Sequence, residues 1–206
     1  MSLTSFKIFK SIITNHIQKT KIGKLIKILK QTKKEHEVYP VATNKDLNIT
    51  EAKIKAVLPK SYVEFVRRFS NGGYLFFIQE VCSVGDSNKK IASIHSVFHK
   101  DLLTGKALSH SNLNRIIPIN NTDLFINRRN LIPFSLDSNG NAWCFLVFNG
   151  TIKDEYPVAY LDSQNLKLYG LLSGFTEWLS ILISEKEEVI RVVCNEETIL
   201  GELKLG

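Results

Sequence analysis

Leu58-Pro-Lys-Ser-Tyr62-Val-Glu-Phe65-Val-Arg-Arg-Phe69-Ser-Asn71-Gly72-Gly73 is the stretch that decides the fold. Proline fixes its own φ and disfavours helical geometry in the residue before it, so a helix must stop by Leu58 and a new one can start at Pro59. Tyr62, Phe65, Val66 and Phe69 recur at spacings of three and four and form one apolar stripe, with Arg67 and Arg68 turned away. Asn71-Gly72-Gly73 supplies residues that tolerate left-handed backbone, which ends the helix near Phe69. Leu58, Tyr62 and Phe65 are therefore expected in a core, and Gly72 and Gly73 at a backbone reversal.

Upstream, Thr50 is the expected cap of a helix starting at Glu51, where an acidic residue suits the positive helix end. Downstream the chain turns to strands. Segments 74–84, 129–137, 141–148 and 157–162 are rich in aromatic and β-branched residues, and Asp137-Ser-Asn-Gly140 and Phe148-Asn-Gly150 mark turns between them. A short helix is expected over Ile94–Leu103 and a closing helix over Ser173–Glu187. Ser173 or Thr176 would cap the closing helix, and Phe175, Trp178, Leu179 and Leu182 would form its buried stripe. The tail from Val189 alternates weakly, as an extra edge strand would. Helices, then a strand meander, then a helix is an α+β order, and it argues against parallel βαβ folds. The expected architecture is an antiparallel or mixed sheet flanked by helices. Its organisation is a basic helical arm (1–42), a main domain (43–186) and a C-terminal extension (187–206).

Composition narrows the setting. The 206 residues are 44% hydrophobic and 23% charged, which suits a packed globular core. No apolar run approaches the roughly 20 residues a bilayer requires, and Lys7 and Lys10 interrupt any secretory core, so a cytoplasmic location is expected. The net charge of +7 is confined to the arm: residues 1–34 hold nine lysines and no acid, and the other 172 carry 18 Lys+Arg against 20 Asp+Glu. Phe6, Phe9, Ile13, Ile17, Ile22, Leu25, Ile26 and Leu29 give the arm an amphipathic helical pattern. Cys82, Cys144 and Cys194 are too few and too scattered for a disulfide framework or zinc site and read as buried small hydrophobes.

Four motifs in order resemble the SUKH superfamily, which includes a fungal regulator of cell-wall glucan synthesis and many bacterial immunity proteins. The first is Leu58-Pro-x-x-Tyr62-x-x-Phe65 with its Asn71-Gly72-Gly73. The second is Leu131-Ile-Pro133-Phe134 leading into Asp137-Ser-Asn139-Gly140-Asn141. The third is Pro157-Val-Ala-Tyr160 followed by Asp162, and the fourth is Gly174-Phe-Thr-Glu-Trp178-Leu179. Together they span residues 43 to 186. The resemblance implies a protein-binding module, with Asp137, Asn139, Asn141, Asp162 and Asn71 as candidate partner-binding residues. Leu58, Pro59, Tyr62, Phe65, Gly72, Gly73, Pro133, Gly140 and Trp178 would be mostly structural.

Phosphate-loop, dinucleotide, zinc-protease and nucleophile-elbow motifs are missing, so no enzymatic activity, cofactor or metal is expected. His95 and His99 share a helical spacing but lack a carboxylate-rich companion motif. Three functions stay open. The resemblance implies an immunity protein that binds and neutralises a toxin, such as a nuclease, or a regulatory scaffold of the cell-wall-regulator type. The lysine-rich arm allows salt-dependent binding to nucleic acid or an anionic membrane.

Overall fold

The computed structural model describes residues 22–100, 116–118, 125–147, 154–163, 167–194 and 199–202. The Phe6–Ile17 part of the arm, the end of the expected 94–103 helix and the Asn149-Gly150 turn lie outside these residues.

The chain has an α+β fold. Helix α1 (Ile22–Gln31) buries Leu25, Ile26 and Leu29 and leads through a 3-10 turn (Lys33–Glu35) into β1 (His36–Val38). Helix α2 (Asn44–Ile54) follows. It begins seven residues before the expected Glu51 and is capped by Thr43, not Thr50. The Thr43 hydroxyl accepts from the Asp46 N–H at 3.3 Å and the Asp46 carboxylate accepts from the Thr43 N–H at 2.9 Å, a reciprocal capping box. Thr50 is buried within the helix, where its hydroxyl accepts from the Gly85 N–H at 2.8 Å.

Helix α3 (Lys60–Arg68) starts after Pro59 as expected, with Tyr62, Phe65 and Val66 fully buried. At Gly73 the φ is 143°, and a Cβ there would stand 2.1 Å from the Glu37 carbonyl oxygen, so only glycine lets β2 pass β1. The expected strand over 74–84 is instead two short strands, β2 (Gly73–Leu75) and β3 (Gln79–Val81), forming with β1 a three-stranded antiparallel sheet in the order β1-β2-β3.

Helix α4 (Ile94–Phe98) precedes a two-stranded pair, β4 (Ile116–Pro118) and β5 (Phe125–Asn127). Next come β6 (Leu131–Leu136), β7 (Ala142–Leu146), β8 (Val158–Asp162) and β9 (Lys167–Leu172), then helices α5 (Phe175–Glu185) and α6 (Val189–Val193), and finally β10 (Ile199–Glu202). These strands form an antiparallel sheet in the order β10-β9-β8-β7-β6. Two details of the C-terminal third depart from expectation. Helix α5 has Gly174 at its N-cap with no side-chain cap, while the Ser173 hydroxyl and N–H both bond the Glu177 carboxylate. The weakly alternating 189–193 stretch is helical, and the edge strand comes later, at β10.

Burial covers both faces of the large sheet, because its side chains alternate sides and neither side is polar. Ile132, Phe134, Trp143, Phe145, Val158 and Tyr160 belong to the main core with α1, α3 and α5. Its centre is aromatic: the Phe134 and Phe145 rings stack at 4.3 Å, with Tyr62, Phe175 and Trp178 set edge-on around them. The other face carries Leu131, Ala142, Cys144, Leu146, Ala159, Leu161 and Leu168, clustered with Ile126 of β5. Pro133 lies on the terminal strand β6 beside a register shift, the kind of place where a residue without an N–H is tolerated.

The two larger sheets are stitched together along β3 and β6. The Cys82 N–H donates to the Phe134 carbonyl at 2.8 Å, and the Gln79 amide donates to the Ser135 hydroxyl at 2.8 Å and to the Leu136 carbonyl at 3.1 Å. Ser135 in turn donates to the Glu80 carbonyl.

Candidate functional site

Asp137 organises the turn between β6 and β7. Its Oδ1 accepts from the N–H groups of Asn139 (2.8 Å) and Asn141 (2.9 Å), and its Oδ2 accepts from the Tyr160 hydroxyl (2.5 Å) and the Asn141 amide (3.1 Å). Gly140 closes the reversal with a φ of 78°. Burial pushes the Asp137 carboxyl up, but hydrogen bonds from Tyr160, Asn141 and Asn139 outweigh it and hold the group below its ordinary range. Burial, and after it the Asp137 hydrogen bond, drives the Tyr160 hydroxyl far up. Asn141 then reaches across the sheet end, its side-chain oxygen accepting from the Ser163 N–H at 2.9 Å, just past Asp162. The turn thus joins Asp137, Asn141 and the end of β8 into one polar cluster, with Asp162 half-buried and Asn139 exposed.

Asn71 lies apart from this cluster. It is 1% exposed, and its amide group both donates to the Val84 carbonyl (3.0 Å) and accepts from the Val84 N–H (2.8 Å). It braces the loop after β3 as a backbone strand would.

The other motif residues serve the fold. Tyr62 is fully buried and its hydroxyl donates to the Cys82 carbonyl at 2.6 Å, tying α3 to the end of β3. Leu58, Phe65 and Trp178 lie in the core, and Gly72, with a φ of 78°, has the Ser83 backbone nitrogen 2.9 Å from where its Cβ would be. Pro59 caps α3 without a side-chain bond, and the remaining work falls to Glu155. Its carboxylate accepts from the Ser61 N–H at 2.8 Å and from the Ser61 hydroxyl at 2.6 Å. Burial raises the Glu155 carboxyl above its ordinary value, and the Ser61 bonds pull only partly back.

A second polar cluster surrounds His95. Its Nε2 lies 3.0 Å from Asp86 Oδ1, 3.1 Å from Lys53 Nζ and 3.2 Å from the Ser93 hydroxyl, and Thr50 approaches Nδ1 at 3.5 Å. Burial and then Lys53 lower the His95 pKa against the pull of Asp86, so the ring stays neutral at physiological pH. His99 instead faces the Lys53 carbonyl at 3.2 Å. Among the described residues, no group of three or more His, Cys, Asp or Glu side chains is placed to hold a metal. Cys82 and Cys144 are buried and free, Cys194 is half-buried and free, and burial pushes the thiols of Cys144 and Cys194 up to about 12. Such thiols remain protonated and weakly nucleophilic. No helix among the described residues is long and apolar enough to cross a membrane.

Two surface features stand out, the first expected from the basic arm and the second not foreseen in the sequence. The exposed side of α1 carries Lys24, Lys27 and Lys30, with Lys33 and Lys34 just beyond, and none of the five forms an ion pair among the described residues. At the turn between β2 and β3, Phe77 is 64% exposed and Ile78 39%. Two adjacent phenylalanines in a stretch otherwise rich in strand formers gave no turn signal, although an unrelieved apolar run of that length is itself unusual on a surface.

No curated protein and no solved structure matches the chain. A family model does, over residues 41–181, the span that holds the paired Pro59 and Tyr62 helix, the Asp137 turn and all but the last turn of α5. The chain belongs to the SMI1/KNR4 family (SUKH-1).

Proposed function

We propose that this chain is a non-enzymatic protein-binding module, and specifically an immunity protein that binds and neutralises a cognate toxin. The observation that carries the reading is the family match over most of the chain, since the resemblance is to a superfamily of immunity and regulatory proteins. The use of the polar motif residues supports it. Asp137, Asn141 and Asn71 spend their hydrogen-bonding capacity on nearby backbone and side chains, as parts of a scaffold do and as poised acids or bases do not. Neutralisation requires only a complementary surface with a few anchors. The test is co-expression with any polypeptide encoded beside this chain that is toxic when expressed alone, paired with titration of the two purified proteins. Rescue of growth with a 1:1 complex is the expected result; full toxicity and no complex would overturn the reading.

A second reading is favoured by the exposed lysines of α1 and the 3-10 turn after it, which form no ion pair among the described residues. Through Lys24, Lys27, Lys30, Lys33 and Lys34 the chain would bind nucleic acid or anionic membrane in a salt-dependent way. With five phosphate contacts on duplex DNA, log K would fall with log salt at a slope of about −4.5. A flat salt response, or no binding at low salt, would exclude it.

A further inference from the structure

The backbone at the β2–β3 turn takes left-handed geometry at two phenylalanines, residues that bear it at a cost. The Ile78 N–H donates to the Leu75 carbonyl at 3.1 Å, closing a tight turn whose two central residues are Phe76 (φ 52°) and Phe77 (φ 57°). Hairpin turns with two left-handed central residues call for Asn-Gly or Asp-Gly, because a bulky side chain there crowds the following carbonyl. Phe76 recovers part of that cost by packing. Its ring meets His36 edge-on at 4.5 Å, its N–H donates to His36 Nδ1 at 2.9 Å, and Lys186 Nζ lies 5.5 Å over its face. Phe77 recovers almost nothing. It is the one aromatic among the exposed large hydrophobics of the described residues, and its neighbour in the turn, Ile78, is exposed as well.

A strained position held by a rigid hairpin, carrying an exposed aromatic, is the arrangement of a binding anchor. The surroundings constrain what it meets. His36, against which the turn packs, directly follows Lys33, Lys34 and Glu35. Glu35 is neutralised by Lys186 at 3.0 Å, whereas Lys33 and Lys34 are exposed and form no ion pair among the described residues. The knob is therefore apolar at its tip, with Lys33 and Lys34 exposed ahead of β1, while the carboxylates further along the sheet, Glu37 and Glu80, accept from the Tyr39 and Tyr74 hydroxyls. Two apolar side chains are too few for firm attachment to a lipid surface, but one aromatic in a desolvated pocket suffices for a protein hot spot.

We propose that Phe77, with Ile78 beside it, inserts into an apolar pocket of a protein partner whose rim presents carboxylates to Lys33 and Lys34. The assignment rests on the protein-binding reading above and adds where the contact is made. It separates two quantities that core residues tie together, because removing Phe77 relieves strain while it destroys the anchor.

The experiment compares the full chain with Phe77→Asn and Phe77→Gly, and with the Lys33→Glu, Lys34→Glu pair. The probe is the purified polypeptide encoded beside this chain, titrated calorimetrically, and thermal unfolding of each variant is recorded alongside. The expected result is a loss of affinity of at least about 30-fold for both Phe77 variants. Their Tm should be unchanged or raised by about 2–4 °C. The lysine pair should slow association and flatten its salt dependence. Phe77 variants that bind within threefold of the parent would overturn this assignment and leave the protein-binding reading intact. A parent chain that does not bind the probe would overturn both. Binding to vesicles of one part phosphatidylglycerol to three parts phosphatidylcholine, or self-association in sedimentation, would overturn it too if abolished by Phe77→Asn, because the knob would then serve a lipid or a second copy.

Discussion

Replacing Tyr62 by phenylalanine removes one oxygen atom and leaves the ring where it is. The ring touches Phe134, Phe145 and Phe175 at centroid distances of 5.2 to 6.2 Å, and all of those contacts survive. What disappears is the 2.6 Å hydrogen bond to the Cys82 carbonyl. Cys82 is fully buried, so no water replaces the lost donor, and an orphaned buried acceptor costs about 1–3 kcal/mol. We take about 2 kcal/mol, which for a chain of this length lowers Tm by about 4–8 °C. Urea unfolding should show the loss as a lower midpoint at unchanged m-value, since the surface exposed on unfolding hardly changes. The pH response adds a second check. Burial raises the Tyr62 hydroxyl well above its ordinary 10.0, so the folded state holds this proton more tightly than the unfolded one. That contribution is complete below the unfolded pKa and is lost as pH rises through the folded one, so the parent weakens relative to Tyr62→Phe above about pH 10. A Tyr62→Phe protein within about 0.5 kcal/mol of the parent at neutral pH would refute the reasoning, because Cys82 would then have another donor.

Gly73→Ala should cost about 3 kcal/mol or more, because the new Cβ meets the Glu37 carbonyl oxygen at 2.1 Å in an unfavourable φ; a urea midpoint close to that of the parent would exclude the clash. Asp137→Asn should cost about 1–3 kcal/mol at neutral pH by weakening the bonds from Tyr160 and Asn141. Because the folded carboxyl titrates below its ordinary 3.8, the deficit should be full above that value and shrink as pH falls through the lower folded pKa, a trend measurable by thermal melts from pH 7 to pH 2. Trp178→Phe should cost no more than about 1.5 kcal/mol although the side chain is fully buried. Its indole N–H has no hydrogen-bond partner among the described residues, so volume is lost but no bond is broken. Calorimetry on Trp178→Phe beside Trp178→Ala, expected to lose about 3–5 kcal/mol, separates the two terms.

What could be read in advance followed from residues that leave few options. Pro59, the Tyr62–Phe65–Val66 stripe and the paired glycines dictated α3 and its end. The Asp137-Ser-Asn-Gly140 turn fixed the β6–β7 hairpin, because Asx and glycine geometry is local. Failures came where a signal was absent or doubled. Thr43-Asn-Lys-Asp46 and Thr50-Glu51 both resemble helix starts, and the capping box at Thr43 prevails because it satisfies two backbone donors instead of one. Strand β9 (Lys167–Leu172) was not anticipated, since Gly170 interrupts a pattern that the sheet nevertheless pairs on both sides. Five residues, Val189–Val193, are too few to tell a period of 2 from one of 3.6, and packing against α5 decided for helix. The candidate site divides the same way. The Asp137 cluster announced itself through turn chemistry, whereas Phe77 was hidden inside an apparent strand because its turn contains no glycine, asparagine or proline.

Helix α1 and strand β1 lie ahead of the family-matched span, yet Leu25, Ile26 and Leu29 are at most 3% exposed and belong to the same core as Tyr62 and Trp178. Anyone trimming the gene to residues 41–181 would thus remove part of the interior, not a handle. The faces of α3 and α5 that α1 covers would be bared, and β2, still paired with β3, would become an edge strand with its β1-facing side open. A fragment so cut should self-associate through those two surfaces, so recombinant work on this chain ought to keep everything from Ile22 onward.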